Sequence, residues 1–300
     1  MYVILGASGH TGSLIAQTLL KKREKVRVVG RSKDRLAPLI GQGAEPVVAD
    51  ATDAQALAKA FQGARAVYTM VPPNMATENF RAYQDGIVDA IAKALETARV
   101  THAVSLSSVG ADKESGTGPV AGLHRMEVQF NRIQGLNVLH VRAGYFMENT
   151  LPQTSILRDM GKMAGPIRAD LPIAMIATRD IGAYAANALA NLQFSGKQTH
   201  ELLGQRDITY SEAARIIGAA IGKPDLTYAQ LPAEQIIQGM TQAGISRNMA
   251  EVLCEMADAM NSGRMKPLEP RSAGNTTPTS FETFVREVFV PAHQRKAASA

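Results

Sequence analysis

A doubly wound parallel α/β sheet with a smaller, mostly helical C-terminal lobe is the fold class this sequence predicts, and three observations predict it. Short β-branched runs alternate with longer helical patterns through the first half of the chain. The first run, Tyr2-Val3-Ile4-Leu5, leads straight into the glycine-rich stretch Gly6-Ala7-Ser8-Gly9-His10-Thr11-Gly12. In the second half the alternation fades and helical patterns dominate. A strand-helix alternation calls for a parallel sheet with helices on both faces, because each helix must bury its apolar stripe against the strand layer.

After the strand at residues 2–5, the pattern predicts a helix over 12–22, a strand at Val26-Arg27-Val28-Val29 and a helix over 34–40. Pro46-Val47-Val48-Ala49 reads as the third strand, followed by a helix over 54–61 and a fourth strand at Ala66-Val67-Tyr68-Thr69-Met70. A long helix over 77–98 leads to His102-Ala103-Val104-Ser105-Leu106, and one over 122–134 leads to Asn137-Val138-Leu139-His140-Val141. Parallel crossovers are almost always right-handed, so these six strands fit a dinucleotide-binding layout occupying residues 1–150. Residues 151–300 are expected to return partly to the sheet and to form a helical substrate or partner lobe. Strands are expected at 172–176 and 199–203, with helices over 180–192, 211–221, 233–243, 248–261 and 280–288. The Pro-, Gly-, Ser- and Thr-rich stretch 263–278 reads as a loop, and 294–300 is expected to fray.

Composition narrows the function classes. At 300 residues and 45% hydrophobic content the chain can build a sizeable core. Its formal charge of +5 is spread along the sequence, which favours anionic small molecules modestly. With no Trp and 5% aromatics there is no basic-aromatic stripe of the kind nucleic-acid surfaces carry. Cys254 is the single cysteine, so an intrachain disulfide and a cysteine metal cluster are excluded, and a reducing cytoplasm fits. No stretch approaches the ~20 apolar residues of a membrane span. The six histidines form no HxxxH or HExxH pair, which leaves a metal centre without a motif.

The glycines carry the strongest signal. Gly6, Gly9 and Gly12 lie between an apolar strand and an amphipathic helix. Gly6 permits a tight turn, Gly9 lets the backbone approach a pyrophosphate, and Gly12 lets the helix pack closely on the sheet, while Ser8, His10 and Thr11 complete the turn. The second strand ends at Gly30-Arg31-Ser32, where an NAD-selective site would carry an acid. A cation and a hydroxyl there suit the 2′-phosphate of NADP, so NADP(H) is expected in preference to NAD(H). Asp50, with Ala51, tops the third strand where the adenine amino group would lie, and Thr52 or Asp53 is suited to cap the next helix. Val71-Pro72-Pro73-Asn74 closes the fourth strand as a rigid floor under the ribose and nicotinamide.

These pieces, with Ser105-Leu106-Ser107-Ser108, Arg142-Ala143-Gly144-Tyr145-Phe146-Met147-Glu148-Asn149 and Thr178-Arg179-Asp180-Ile181-Gly182, resemble the NmrA-like group of atypical short-chain dehydrogenase/reductases from residue 1 to about 290. The resemblance implies a Rossmann domain with NADP(H) in a cleft below a small C-terminal lobe. It also implies one of two activities: hydride transfer to a quinone or other electron-poor acceptor, or cofactor sensing that regulates a protein partner. In this group the 145–149 segment lines the nicotinamide end, with Tyr145, a further catalytic candidate, and Phe146 as an aromatic wall and Asn149 as a polar contact.

The helix after the fifth strand carries Gly122-Leu123-His124-Arg125-Met126-Glu127-Val128, with no YxxxK pair. Ordinary ketone–alcohol interconversion therefore lacks its proton donor, whereas quinone reduction yields a delocalised anion that water can protonate. His124 is the candidate proton donor, because imidazole titrates near neutrality, and Ser107 is a candidate substrate-orienting hydroxyl. Arg125 and Glu127 are expected to support each other or the loop, Asp180 reads as a helix N-cap, and Cys254 as a buried inert thiol. A homodimer or a regulatory protein partner is left open by the sequence.

Overall fold

The computed structural model describes residues 1–298. The first half runs β1 (Tyr2–Leu5), α1 (His10–Lys21), β2 (Val26–Gly30), α2 (Lys33–Ile40), β3 (Glu45–Val48), α3 (Ala54–Phe61) and β4 (Ala66–Thr69). It continues through α4 (Phe80–Thr97), β5 (His102–Ser108), α5 (Val120–Asn131) and β6 (Asn137–Ala143). The second half adds β7 (Tyr145–Phe146), α6 (Gln153–Met160), β8 (Met163–Gly165), β9 (Ile173–Ile176), α7 (Thr178–Asn191) and β10 (Lys197–Leu202). β11 (Asp207–Ile208), α8 (Tyr210–Ala220), β12 (Tyr228–Gln230), α9 (Ala233–Gln242), α10 (Arg247–Asn261), α11 (Phe281–Phe284) and α12 (Val290–Ala298) follow.

The main sheet has seven parallel strands in the order β3-β2-β1-β4-β5-β6-β10. The chain reverses its direction of travel across the sheet between β1 and β4, and ligands of open parallel sheets bind at such a switch point, outside the carboxyl ends of the strands. One face of the sheet is covered by α1, α2 and α7 through Ile15, Leu19, Leu36 and Leu189. The other is covered by α3, α4 and α5 through Phe61, Ile91, Leu95 and Phe130. β1 is buried along its whole length, which is why its sequence is apolar without alternation. A third cluster around Met163, Met175, Tyr210, Ile217, Phe281 and Phe289 fills the lobe.

The strand expected at 199–203 is β10, a seventh strand of the main sheet; its Lys197 ammonium donates to the carbonyls of Ile133 and Leu136 just beyond α5. The long helix starts at Phe80 instead of residue 77, because the Asn79 side chain accepts the Ala82 N–H. α6 and the short strands β7, β8, β11 and β12 had no readable pattern, since strands of two or three residues are too short for periodicity. The expected fraying of 294–300 is replaced by helix through Ala298, and residues 299 and 300 lie outside the described residues. No helix among the described residues is long and apolar enough to cross a membrane.

Candidate active site

At the end of β1 the chain turns at Gly6 with φ of +69°, and a Cβ there would lie 2.8 Å from Met70 Sδ. A Cβ on Gly12 would lie 2.5 Å from the Gly6 carbonyl oxygen, so α1 starts pressed against the turn. Gly9 has an ordinary φ of −88° and donates its N–H to the Gly6 carbonyl at 2.9 Å. Its contribution is a bare outer surface on the turn. Ser8, Gly9 and His10 are exposed there. α2, α3 and α4 are capped by the side chains of Ser32, Asp53 and Asn79, but no side chain caps α1 and no acid occupies its first turn. An uncapped helix start at the switch point is suited to an anion, because its free N–H groups and partial positive charge favour negative charge. Thr11 is buried and its hydroxyl lies 3.0 Å from the Tyr68 hydroxyl, so what it offers a ligand is its backbone.

The ends of β2 and β3 meet beside this turn. Arg31 is exposed and acts electrostatically on both Asp50 and Tyr83. Asp50 Oδ1 accepts from the Thr52 N–H at 2.9 Å and from its hydroxyl at 2.7 Å; these bonds, helped by Arg31, hold its carboxyl below the usual carboxylate range. Ala51 is buried beneath them, and Asp53 is the residue that caps α3. Ser32 accepts the Arg35 N–H at 3.4 Å, a weak cap. Tyr83 had no signature in the sequence, yet its hydroxyl donates to the Pro72 carbonyl at 3.1 Å and ties α4 to the Val71-Pro72-Pro73 turn. That turn runs on to Met75 and Thr77, whose carbonyls accept from the Ser246 N–H and hydroxyl at the start of α10.

α10 packs on the loops that follow β4 and β5. Its first turn holds the loop after β4, with Asn248 Oδ1 accepting the Phe80 N–H at 2.8 Å. Farther along, Gly118, with φ of +58° in the loop after β5, packs so closely on Val252 and Met256 that a Cβ would overlap α10 backbone. Gly110 in the same loop leaves room for Met265. Cys254 is buried on α10, and burial pushes its thiol up, as an inert structural cysteine requires.

The catalytic candidates separate once the side chains are placed. His124 Nδ1 is 2.8 Å from the Ala111 carbonyl oxygen, which can only accept, so Nδ1 donates in this bond. Ser107 is buried, and its hydroxyl donates to Glu127 Oε1 at 2.5 Å. Glu127 is clamped by Arg142 through bonds of 2.9 and 2.6 Å, and Arg125 pairs instead with Asp85 and Asp89, so the expected Arg125–Glu127 support does not form. Below this ion pair, Ser105 Oγ lies 2.7 Å from His140 Nδ1, and His140 Nε2 lies 3.0 Å from Asn131 Oδ1. The two layers repeat by register, with Ser105 opposite His140 and Ser107 opposite Arg142.

Tyr145 and Phe146 form β7, which pairs with β9 beyond the end of β6. The Tyr145 hydroxyl lies 3.0 Å from that of Tyr210, which stacks on Tyr228 with centroids 4.5 Å apart. Burial, the leading cause, raises the Tyr145 phenol above its ordinary range, so this hydroxyl serves a tyrosine cluster inside the lobe. Phe146 packs against the core cluster on the α1 and α7 side, and the exposed Asn149 bonds back to Tyr145. Asp180 is not the N-cap of α7; Ala177 occupies that position, and the Asp180 carboxylate accepts the Thr279 N–H and hydroxyl at 3.0 and 2.7 Å. A cavity of about 240 Å³ opens beside α1 between His10, Gln17, Glu148, Thr178, Phe284 and Val288. A second, of about 270 Å³, lies between α7 and β10, away from these residues. No group of His, Cys, Asp or Glu among the described residues could hold a metal ion.

An NAD(P)H azoreductase of Xenophilus azovorans is 26% identical over 258 residues, which cover 85% of this chain and 86% of that one. Among solved structures, the triphenylmethane reductase of Citrobacter sp., complexed with NADP(H), superposes with a TM-score of 0.80 at 20% identity, over 96% of this chain and 99% of that one. An NADPH-dependent quinone oxidoreductase of Escherichia coli, complexed with NADPH, gives 0.75 at 20% identity, over 96% and 100%. Both structures share the fold described above. Residues 2–284 match the NmrA-like family as a whole, and the chain belongs to that family.

Proposed function

We propose that this protein is an NADP(H)-dependent oxidoreductase that passes hydride to a small electron-poor acceptor such as a quinone. The observation that carries the reading is the uncapped start of α1, pressed against Gly6 through Gly12, with Arg31 exposed at the end of the neighbouring strand. The residues fit a dinucleotide: the turn and helix start suit a pyrophosphate, and Arg31 and the Asp50 carboxylate suit a phosphorylated ribose and an adenine amino group. Nicotinamide supplies a hydride when bound. The chain's part is to orient it between the turn and the 145–149 segment, to hold the loops after β4 and β5 with α10, and to bring His124 to the acceptor. One proton completes the hydroquinone; the imidazolium form of His124 would give it from Nε2, leaving the neutral ring with its proton on Nδ1, or water delivers it. The azoreductase, quinone reductase and triphenylmethane reductase named above also act on or with NAD(P)H.

A second reading, a non-catalytic NADP(H) sensor that regulates a protein partner, is favoured by one observation: the hydroxyls of Ser107 and Tyr145 are both engaged inside the protein. In either case we expect a cytoplasmic protein that binds neither nucleic acid nor membrane. Mixing the protein with NADPH and a panel of quinones, and following reduced-cofactor absorbance, tests the reading. Turnover supports the reductase; tight NADPH binding with no turnover across the panel supports the sensor.

A further inference from the structure

The Thr178-Arg179-Asp180-Ile181-Gly182 run lies along the cavity beside α1, and its polar side chains tie the start of α7 to the segment after β7 and to the segment 279–287. Glu148, in the 3-10 turn Met147–Thr150 that follows β7, accepts the Thr178 N–H with both carboxylate oxygens at 3.1 Å. The Thr178 hydroxyl donates to Glu148 Oε1 at 2.5 Å. Arg179 and Asp180 grip Thr279, and Arg179 also pairs with Glu287 at 2.6 Å. Gly182 lies against α1 so closely that a Cβ would meet Leu14 Cδ2 at 2.9 Å and the Thr11 carbonyl at 3.2 Å. The start of α7 is thus one rigid piece touching both the helix behind the glycine turn and the segment that follows β6.

We infer that the Glu148–Thr178 pair is a latch that fixes the 145–149 segment relative to the glycine turn, and that both are positioning residues for the nicotinamide end of the site. The inference rests on the proposed cofactor reading. Its chemistry is that of a transplanted helix cap: α7 has Ala177 where a capping side chain belongs, and the carboxylate that replaces it comes from Glu148, 30 positions before Thr178. Because the cap is borrowed, helix and segment move together. The phosphate end, held by Gly6, Gly12 and Arg31, involves none of these bonds. Loosening the latch therefore acts on orientation of the ring and leaves the anchoring of the phosphates in place.

The test compares wild type with Thr178→Val, Glu148→Gln and the conservative Thr178→Ser, using NADPH and a simple benzoquinone. Thr178→Val and Glu148→Gln are expected to lower kcat about tenfold, with the NADPH Kd within about threefold and a larger deuterium isotope effect from 4-deuterated NADPH; Thr178→Ser restores both. The fluorescence of bound NADPH, which reports the nicotinamide surroundings with or without turnover, is expected to change in Thr178→Val and not in Thr178→Ser. Unchanged kcat, isotope effect and fluorescence in Thr178→Val, with wild type binding NADPH, overturn the latch alone. Failure of wild type to bind NADPH overturns the cofactor reading and the latch with it.

Discussion

Gly12 and the Gly6 carbonyl oxygen are so close that a Cβ at Gly12 would lie 2.5 Å from that oxygen. The neighbour is backbone, so it cannot swing aside as a side chain would. Gly12→Ala is expected to push α1 off the turn at a cost of about 1–3 kcal/mol of stability and to weaken NADPH binding at least about tenfold. Thermal unfolding and a fluorescence titration measure the two effects. Gly43, where a Cβ would meet no atom within 4 Å but φ is +97°, is a control in which strain acts without crowding the turn.

Glu127 and Arg142 test whether the polar layer under the site is structural. Their side chains are 6% and 12% exposed, and breaking a buried pair leaves an uncompensated charge. Arg142→Met is expected to cost about 3–5 kcal/mol in urea unfolding. Ser107→Ala removes one hydroxyl bonded to that carboxylate and is expected to cost about 1–3 kcal/mol. If Ser107→Ala instead abolishes turnover at unchanged stability, Ser107 touches the acceptor and its bond to Glu127 opens during the reaction.

His140 makes stability depend on pH. Burial pulls its imidazole down from an ordinary 6.5 to about 4, so the unfolded chain takes up a proton that the folded chain refuses. This contribution is complete above the unfolded value and is lost as pH falls from 6.5 towards 4. At pH 5 the loss is about 2 kcal/mol relative to neutrality. His140→Gln, which retains hydrogen-bonding capacity towards Ser105 and Asn131, is expected to flatten that slope between pH 7 and 5. An unchanged slope would place the titrating group elsewhere.

His124→Gln tests the proton donor. With a quinone acceptor, kcat is expected to fall about a hundredfold while the NADPH Kd is unchanged, since the His124 ring is bonded to the Ala111 carbonyl. Equal kcat in both proteins would assign the proton to water.

The main sheet was readable because its information is local. Each crossover repeats a strand run and an amphipathic helix, and Gly6, Gly12 and the Asp53 cap act within a few residues of themselves. The site's upper half was not, because its contacts join distant positions. Tyr145 finds Tyr210 65 residues away, Asp180 finds Thr279 99 away, and α10 reaches back to Phe80 through Asn248 over 168. No periodicity encodes such pairs. Glu127 shows the same limit at shorter range: Arg125, two residues away along the helix, does not face it, and Arg142 on β6 takes the carboxylate.

The central claim is that a dinucleotide with a 2′-phosphate binds between the glycine turn and Arg31. Calorimetric titration of NADPH and NADH into wild type and Arg31→Asp tests it most directly. Wild type is expected to prefer NADPH by at least about tenfold and the variant to lose or reverse that preference while keeping its NADH affinity. An equal NADPH preference in both proteins, or no binding of either nucleotide to wild type, would contradict the account.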